Sequence, residues 1–193
     1  ILAGVVTATS GEAVVEGRVA SILELGVGFN PEFSGRANAE IAASIGETVR
    51  ETGVEVDVVD AKDVESVAPY NAVIVGSAVH MGRWMGPARD LVNGSAEELR
   101  TRRVWLFSSG PLGRDIVDPA DAAQGNKLLE LVGGRGHRVF AGEADKQRLG
   151  FVERRILSMV KNPYGDHRDW AAIREWAASI ATELAAIPVG TRT

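Results

Sequence analysis

Cysteine is absent from all 193 residues, which excludes a disulfide scaffold, a thiolate metal site and any cysteine nucleophile. Histidine is nearly as scarce. His80, His137 and His167 stand far apart with no i, i+4 pairing, so no metal is expected, structural or catalytic. No apolar run approaches the roughly 18 residues that span a bilayer. The opening Ile1-Leu2-Ala3-Gly4-Val5-Val6 carries no basic n-region of a signal peptide, so a cytoplasmic location is expected. Excess charge of one sign is also missing. The 26 acidic and 21 basic residues leave −5, too mild and too mixed for a nucleic-acid partner. Familiar phosphate and nucleophile signatures are missing too. Gly26 and Gly28 do not give G-x-G-x-x-G into a helix, and no G-x-x-x-x-G-K-[ST] occurs. Ser77 follows Gly76, but Val79 stands where a nucleophile elbow needs its second glycine, which disfavours a serine hydrolase.

What is present suits an α/β domain, since 45% hydrophobic residues can build one sizeable core. Residues 71–86, NAVIVGSAVHMGRWMG, organise the rest. Val73-Ile74-Val75 is the β-branched run of a strand buried on both faces in a parallel sheet. Ser77 and Ala78 then open a loop that carries Val79, His80, Met81, Gly82, Arg83 and Trp84. A solvated connector rarely holds Val, Met and Trp together. A loop lying along a flat ring needs them, the alternative being that they cap the sheet. A helix is expected over 83–92, with Pro87 in its first turns. Strand, small-residue turn and helix place the loop at the carboxyl end of a sheet, where open α/β folds hold ligands.

Taken in order, the chain offers two first strands, 1–8 and 19–29, each followed by a polar, Gly-containing turn. Either turn, 7–12 or 30–36, could hold a phosphate at a helix start. We favour the second, because an amphipathic helix with Ile41, Ala42, Ile45 and Val49 follows it, then Gly53 and a strand over 54–59. That makes one βαβ unit and leaves residues 1–17 as an extension to a domain spanning 18–193. The rival makes 1–8 the first strand and 26–35 an insertion. Beyond the central strand come a turn of helix over 96–102 and a buried strand over 103–109, ending at Gly110-Pro111-Leu112-Gly113. A helix over 120–132, a strand over 137–142 and a final helix over 169–184 follow. Between the last two lies a basic amphipathic segment with Lys146, Arg148, Arg154, Arg155 and Lys161. It covers a sheet edge or contacts a partner, an anionic substrate or a membrane surface. Five strands alternating with helices imply an open, doubly wound parallel sheet. A phosphate turn and two loops able to sandwich a planar ring form the logic of a mononucleotide flavin site, where the cofactor carries the electron chemistry.

Three pieces are most specific: VIVGSAVHMGRW, VWLFSSGPLG and GDHRDWAAIREWA. With the sequence around them they resemble the flavodoxin-domain family that includes menaquinone-dependent protoporphyrinogen oxidase, over most of the chain from about residue 35. The resemblance implies a flavodoxin-like α/β fold of five parallel strands in order 2-1-3-4-5, helices on both faces, noncovalent FMN and flavin-mediated electron transfer. It implies ring contacts from Ser77, Ala78, Val79, His80, Met81, Gly82 and Trp84, and from Ser109, Gly110, Pro111, Leu112 and Gly113. It also puts the family's extra helix, facing membrane quinone or porphyrin, at the basic segment. A small-molecule or quinone redox partner and peripheral contact with the inner membrane face through 146–161 follow as expectations. No catalytic residue is named.

The front departs from the family. Its first loop runs Ser-x-x-Gly-Ser/Gln-Thr, whereas here Asn38 stands at the threonine and Gly35 is displaced by one position. Ser34, Gly35, Arg36, Ala37 and Asn38 are the phosphate candidates, with helix-end N–H groups doing most of the work. One lost hydroxyl contact to a charged group costs roughly 1.5–3 kcal/mol, or about ten- to a hundredfold in affinity. Three readings stay open: an FMN-dependent oxidoreductase, an electron-carrier flavodoxin without its own substrate, and a regulatory domain that has lost FMN. Carrier flavodoxins are typically strongly acidic, which this chain is not. His80 is either a flavin-tuning donor or a solvent-facing loop residue.

Overall fold

In the computed structural model of the protein, the described residues are 18–23, 31–80, 82–110, 119–144 and 165–186. Their strands are β1 (Arg18–Leu23), β2 (Glu55–Asp60), β3 (Ala72–His80), β4 (Arg83–Trp84), β5 (Arg103–Gly110) and β6 (Gly136–Ala141). The main sheet runs β2-β1-β3-β5-β6, all parallel, with β4 folded back antiparallel on the end of β3. Counted over the parallel strands alone, this is the expected 2-1-3-4-5 order. The order reverses between β1 and β3, and ligands of open α/β sheets sit at the carboxyl ends beside such a switch.

The β-branched run expected at the centre lies in β3, whose residues 72–79 are all buried. Side chains alternate between two cores, as a period of 2 requires. On one face, Ile74, Trp105 and Phe107 meet Ile41, Ile45 and Val49 of helix α1 (Pro31–Arg50). On the other, Val73, Val75, Val104 and Leu106 meet Ala88 and Val92 of α2 (Gly86–Gly94). Leu99 of α3 (Ala96–Leu99) and Leu128 and Val132 of α4 (Pro119–Val132) complete that second core. The first core also takes Ile173, Ala177, Ile180 and Leu184 of α5 (Trp170–Ala185), the stripe legible in the sequence. Each such side chain, fully buried, is worth roughly 1.5–3 kcal/mol. Asp169 caps α5, its carboxylate accepting from the Ala172 N–H at 3.1 Å. A short antiparallel ladder of β7 (Glu143–Ala144) with β8 (Gly165–Asp166) precedes it.

Gly76 in the middle of β3 is a packing requirement. A Cβ there would lie 2.0 Å from Cζ of Phe107, so only a residue without a side chain lets that ring lie flat on the strand.

The structure corrects three expectations. Residues 31–36 of the turn placed at 30–36 are helix: α1 begins at Pro31 and runs through Ser34, Gly35, Arg36, Ala37 and Asn38. The Pro and Gly that read as breakers are tolerated, because proline suits a first helical turn and one interior glycine costs only about 1 kcal/mol. Ser77, Ala78, Val79 and His80 are strand rather than loop, because β5 offers partners as small as they are, Ser77 opposite Ser108 and Ala78 opposite Ser109. Arg83 and Trp84 are not helical but form β4, opposite His80 and Val79, with Gly82 at φ 73 taking the left-handed place in the turn. Residues 1–17 and 24–30, Met81, Pro111, Leu112, Gly113 and the basic segment lie outside the described residues.

Candidate cofactor site at the carboxyl ends of the strands

Parity along β5 sends its two serines to opposite faces, and each gathers a different set of partners. Ser109 points to the α1 face, where its hydroxyl donates to Asn38 Oδ1 at 3.4 Å. Ala78, its neighbour across the ladder, is buried beside it. Asn38 has 0% exposure, yet its amide nitrogen has no hydrogen-bond partner. A buried donor without an acceptor costs about 1–3 kcal/mol and calls for an explanation. An acceptor oxygen supplied by a bound group provides one. Asn38 therefore fits a cofactor with oxygen acceptors, although it sits in the second turn of a helix rather than in a loop. The N–H groups of residues 35–38 bond within α1, so only the first turn of the helix has N–H groups to offer an anion.

Ser108 points to the α2/α4 face and has 0% exposure. Its oxygen accepts from the Trp84 indole N–H at 2.8 Å and its hydroxyl lies 2.8 Å from His137 Nε2. His137 Nδ1 lies 2.9 Å from Asn126 Oδ1 on α4. Desolvation pushes the His137 imidazole down to about 4, so it is neutral at neutral pH. The hairpin itself is fastened twice more. The Trp84 main-chain N–H donates to Gln124 Oε1 of α4, and Met85 N–H donates to Ser77 Oγ at 3.0 Å. Ser77 Oγ also donates to the Ala78 carbonyl at 2.9 Å, so its hydroxyl serves the hairpin and the start of α2.

Of the expected site residues, the structure brings Asn38, Ala78, Ser109 and Gly110 to one region at the strand ends. Val79 and Trp84 are buried in the core of the opposite face, the sheet-capping alternative for both side chains. Ala37 is buried in α1. Ser34, Gly35 and Arg36 are placed by their main chain alone, as is His80 at the end of β3. Among the described residues no group of His, Asp and Glu could hold a metal ion.

Two features escaped the sequence reading. The first is the row of Trp84, Ser108, His137 and Asn126, whose one local sign is Gly125 in the interior of α4. A Cβ at Gly125 would lie 2.3 Å from the His137 ring, so the glycine makes room for it. The second is Arg168, the arginine of the GDHRDW stretch, whose side chain is only 6% exposed. It bonds Asp166 at 2.8 Å and Glu40 of α1 at 2.6 Å, pairs with Glu143 at 3.5 Å, and lies 4.6 Å above the Trp170 ring. The Arg168 guanidinium holds the Asp166 carboxyl below its usual range, and the bond to Asp166 in turn raises Arg168. One cation thus joins α1, the β7–β8 ladder and the start of α5.

A family model described as Flavodoxin domain matches residues 37–170, so β1 and the first turns of α1 lie outside the match. A protoporphyrinogen IX dehydrogenase (quinone) of Leishmania major is 28% identical over 158 residues, covering 72% of this chain and 66% of that protein. An O-antigen export system ATP-binding protein of Klebsiella pneumoniae is 51% identical over 45 residues, 23% of this chain and 18% of that protein. The chain thus spans less than two thirds of either relative. Among solved structures, the rubredoxin oxygen:oxidoreductase of Desulfovibrio gigas superposes with a TM-score of 0.59 at 17% identity, over 88% of this chain and 36% of that one. A flavodoxin from the domain Archaea gives 0.52 at 14% identity, over 86% of this chain and 98% of that one. At these identities the structures speak for the fold.

Proposed function

Because the chain belongs to the flavodoxin-domain family, whose cofactor is FMN and whose work is electron transfer, we propose that it is an FMN-dependent oxidoreductase. Its electrons pass from a reduced small molecule of the porphyrinogen kind to a quinone. The observation that carries the reading is the buried, unpartnered Asn38 amide beside Ser109, at the carboxyl ends next to the reversal of strand order. The similarity to a protoporphyrinogen IX dehydrogenase (quinone) supplies the substrate class.

FMN, when bound, supplies the electron chemistry at its ring. The chain's own groups bind and orient. Ser34 and the first-turn N–H groups of α1 serve the phosphate, with the charge of Arg36 close in sequence. Asn38 donates its amide protons to an acceptor oxygen of the cofactor. Ala78 and Gly110 would keep side-chain bulk away from the ring, beside Ser109 at the strand end. No acid–base pair is required of the protein.

Among the described residues no helix is long and apolar enough to cross a membrane. A quinone is reached instead through Lys146, Arg148, Arg154, Arg155 and Lys161, which would favour an anionic bilayer surface by about 1 kcal/mol each.

Reconstitution with FMN followed by quinone-dependent oxidation of protoporphyrinogen tests the reading. A yellow protein with steady turnover is expected. A yellow protein that never turns over leaves electron carriage without a substrate of its own. A colourless one that ignores added FMN leaves an interaction domain.

A further inference from the structure

Trp84, Ser108, His137 and Asn126 form an unbroken row of hydrogen bonds from the hairpin to the exposed side of α4. We propose that this row is a positioning relay, in which His137 and the surface residue Asn126 fix where the 80–84 hairpin stands. Its consequence for the cofactor rests on the FMN reading above; its geometry does not.

The direction of the row follows from counting protons. An indole N–H can only donate, so the Ser108 oxygen is an acceptor toward Trp84. Asn126 Oδ1 can only accept, so the one proton of the neutral ring sits on Nδ1, and Nε2, unprotonated, takes the Ser108 proton. Each of the three bonds then has one donor and one acceptor, and the reverse order would leave the Ser108 proton outside the row. The buried part of the row, Trp84 and Ser108, is thereby held in one arrangement by partners that reach the surface at Asn126.

Its surroundings are otherwise apolar. Val73, Val75, Leu106 and Leu128 fill the same core, which could have been closed with hydrocarbon alone. The fold instead keeps a glycine inside α4, against helix propensity, so that the imidazole can dock. Gln124, two residues before Asn126, holds the Trp84 main chain from the same helix. The hairpin is therefore tied to α4 directly through the Trp84 main chain and, by way of Ser108 and His137, through its side chain. A serine, histidine and asparagine in this order also suggest a hydrolytic triad. That use is closed off, because Ser108 has 0% exposure and its oxygen is already occupied by Trp84.

The test uses the full chain, labelled with nitrogen-15, with and without FMN. At neutral pH the His137 ring is expected as the Nδ1–H tautomer, with slow solvent exchange of the Trp84 indole proton. Asn126→Ala, at an exposed helical position, should speed that exchange and weaken FMN binding, each by about tenfold, the loss of roughly one hydrogen bond. Asn126→Asp keeps an acceptor oxygen, so it should restore both and move the His137 titration upward, a signature that mere packing would not give. An Nε2–H tautomer in the unaltered protein, or unchanged indole exchange in Asn126→Ala, overturns the relay. Faster exchange with unchanged FMN affinity overturns its link to the cofactor. If the indole and imidazole signals behave as expected while the unaltered protein binds no FMN, the relay stands and the FMN reading falls.

Discussion

Asn38 is a costly residue for the fold alone. Its amide nitrogen is buried without a partner and its oxygen receives one long bond from Ser109. Asn38→Leu alone would strand the buried Ser109 hydroxyl, but combined with Ser109→Ala it removes both polar groups and favours the helix, so the cofactor-free protein should gain about 1 kcal/mol. The same change should abolish the extra stability conferred by FMN, and thermal unfolding with and without FMN checks both halves. His137 makes a prediction of its own. Its folded-state value of about 4 lies below the ordinary 6.5, so on acidification the unfolded chain takes up the proton first. The stability owed to the neutral ring is complete above about 6.5 and is lost as the pH falls from there to about 4. Denaturant titrations across that window should show the decline, and His137→Phe should flatten this part of it.

At the level of elements, β3 and α5 could be read from the chain and the hairpin could not. Val73-Ile74-Val75 and the Ile173, Ala177, Ile180, Leu184 stripe announce themselves by period, because burial on two faces or on one face leaves a local pattern. The extension of β3 through His80 leaves none. Ser77 and Ala78 look like a turn until β5 sets Ser108 and Ser109 against them. The start of α1 was hidden for the opposite reason, since Pro31 and Gly35 carry turn character that the helix overrides. The bond between His137 and Asn126 joins a strand to a helix 11 residues earlier, a tertiary event with no periodic trace. Gly76 sharpens the point, since only the Phe107 ring explains it. Gly76→Ala should cost about 3 kcal/mol, the upper range for overpacking a core, as measured by chemical denaturation. Arg168→Met should cost about 2 kcal/mol, less than the roughly 3–5 of a fully buried pair, because its carboxylate partners are 35–42% exposed. Faster hydrogen exchange of the main-chain amides at 143–144 and 165–166 in that variant would report the loosened ladder.

Across the whole molecule, the family match, the strand order and the strand-end cluster converge on one region, whereas the first loop of the family has no counterpart among the described residues. Period carries the alternation of strands and helices, because each strand–helix unit is local, and the strand order is what the family resemblance implies. The cofactor's front contact depends on where a helix begins, which period does not carry. If FMN binds at this region, saturation at about a hundred times the Kd should add about 2.7 kcal/mol and raise Tm by roughly 5–10 °C. Scanning calorimetry at graded FMN concentrations measures that rise directly.

Ser108 and Ser109 are consecutive residues of one strand that hold opposite sides of the molecule, Trp84 and His137 on one side and Asn38 on the other. Neighbouring residues of one strand thus tie down the two faces of the sheet, and the alternation of the strand alone decides which face each serves.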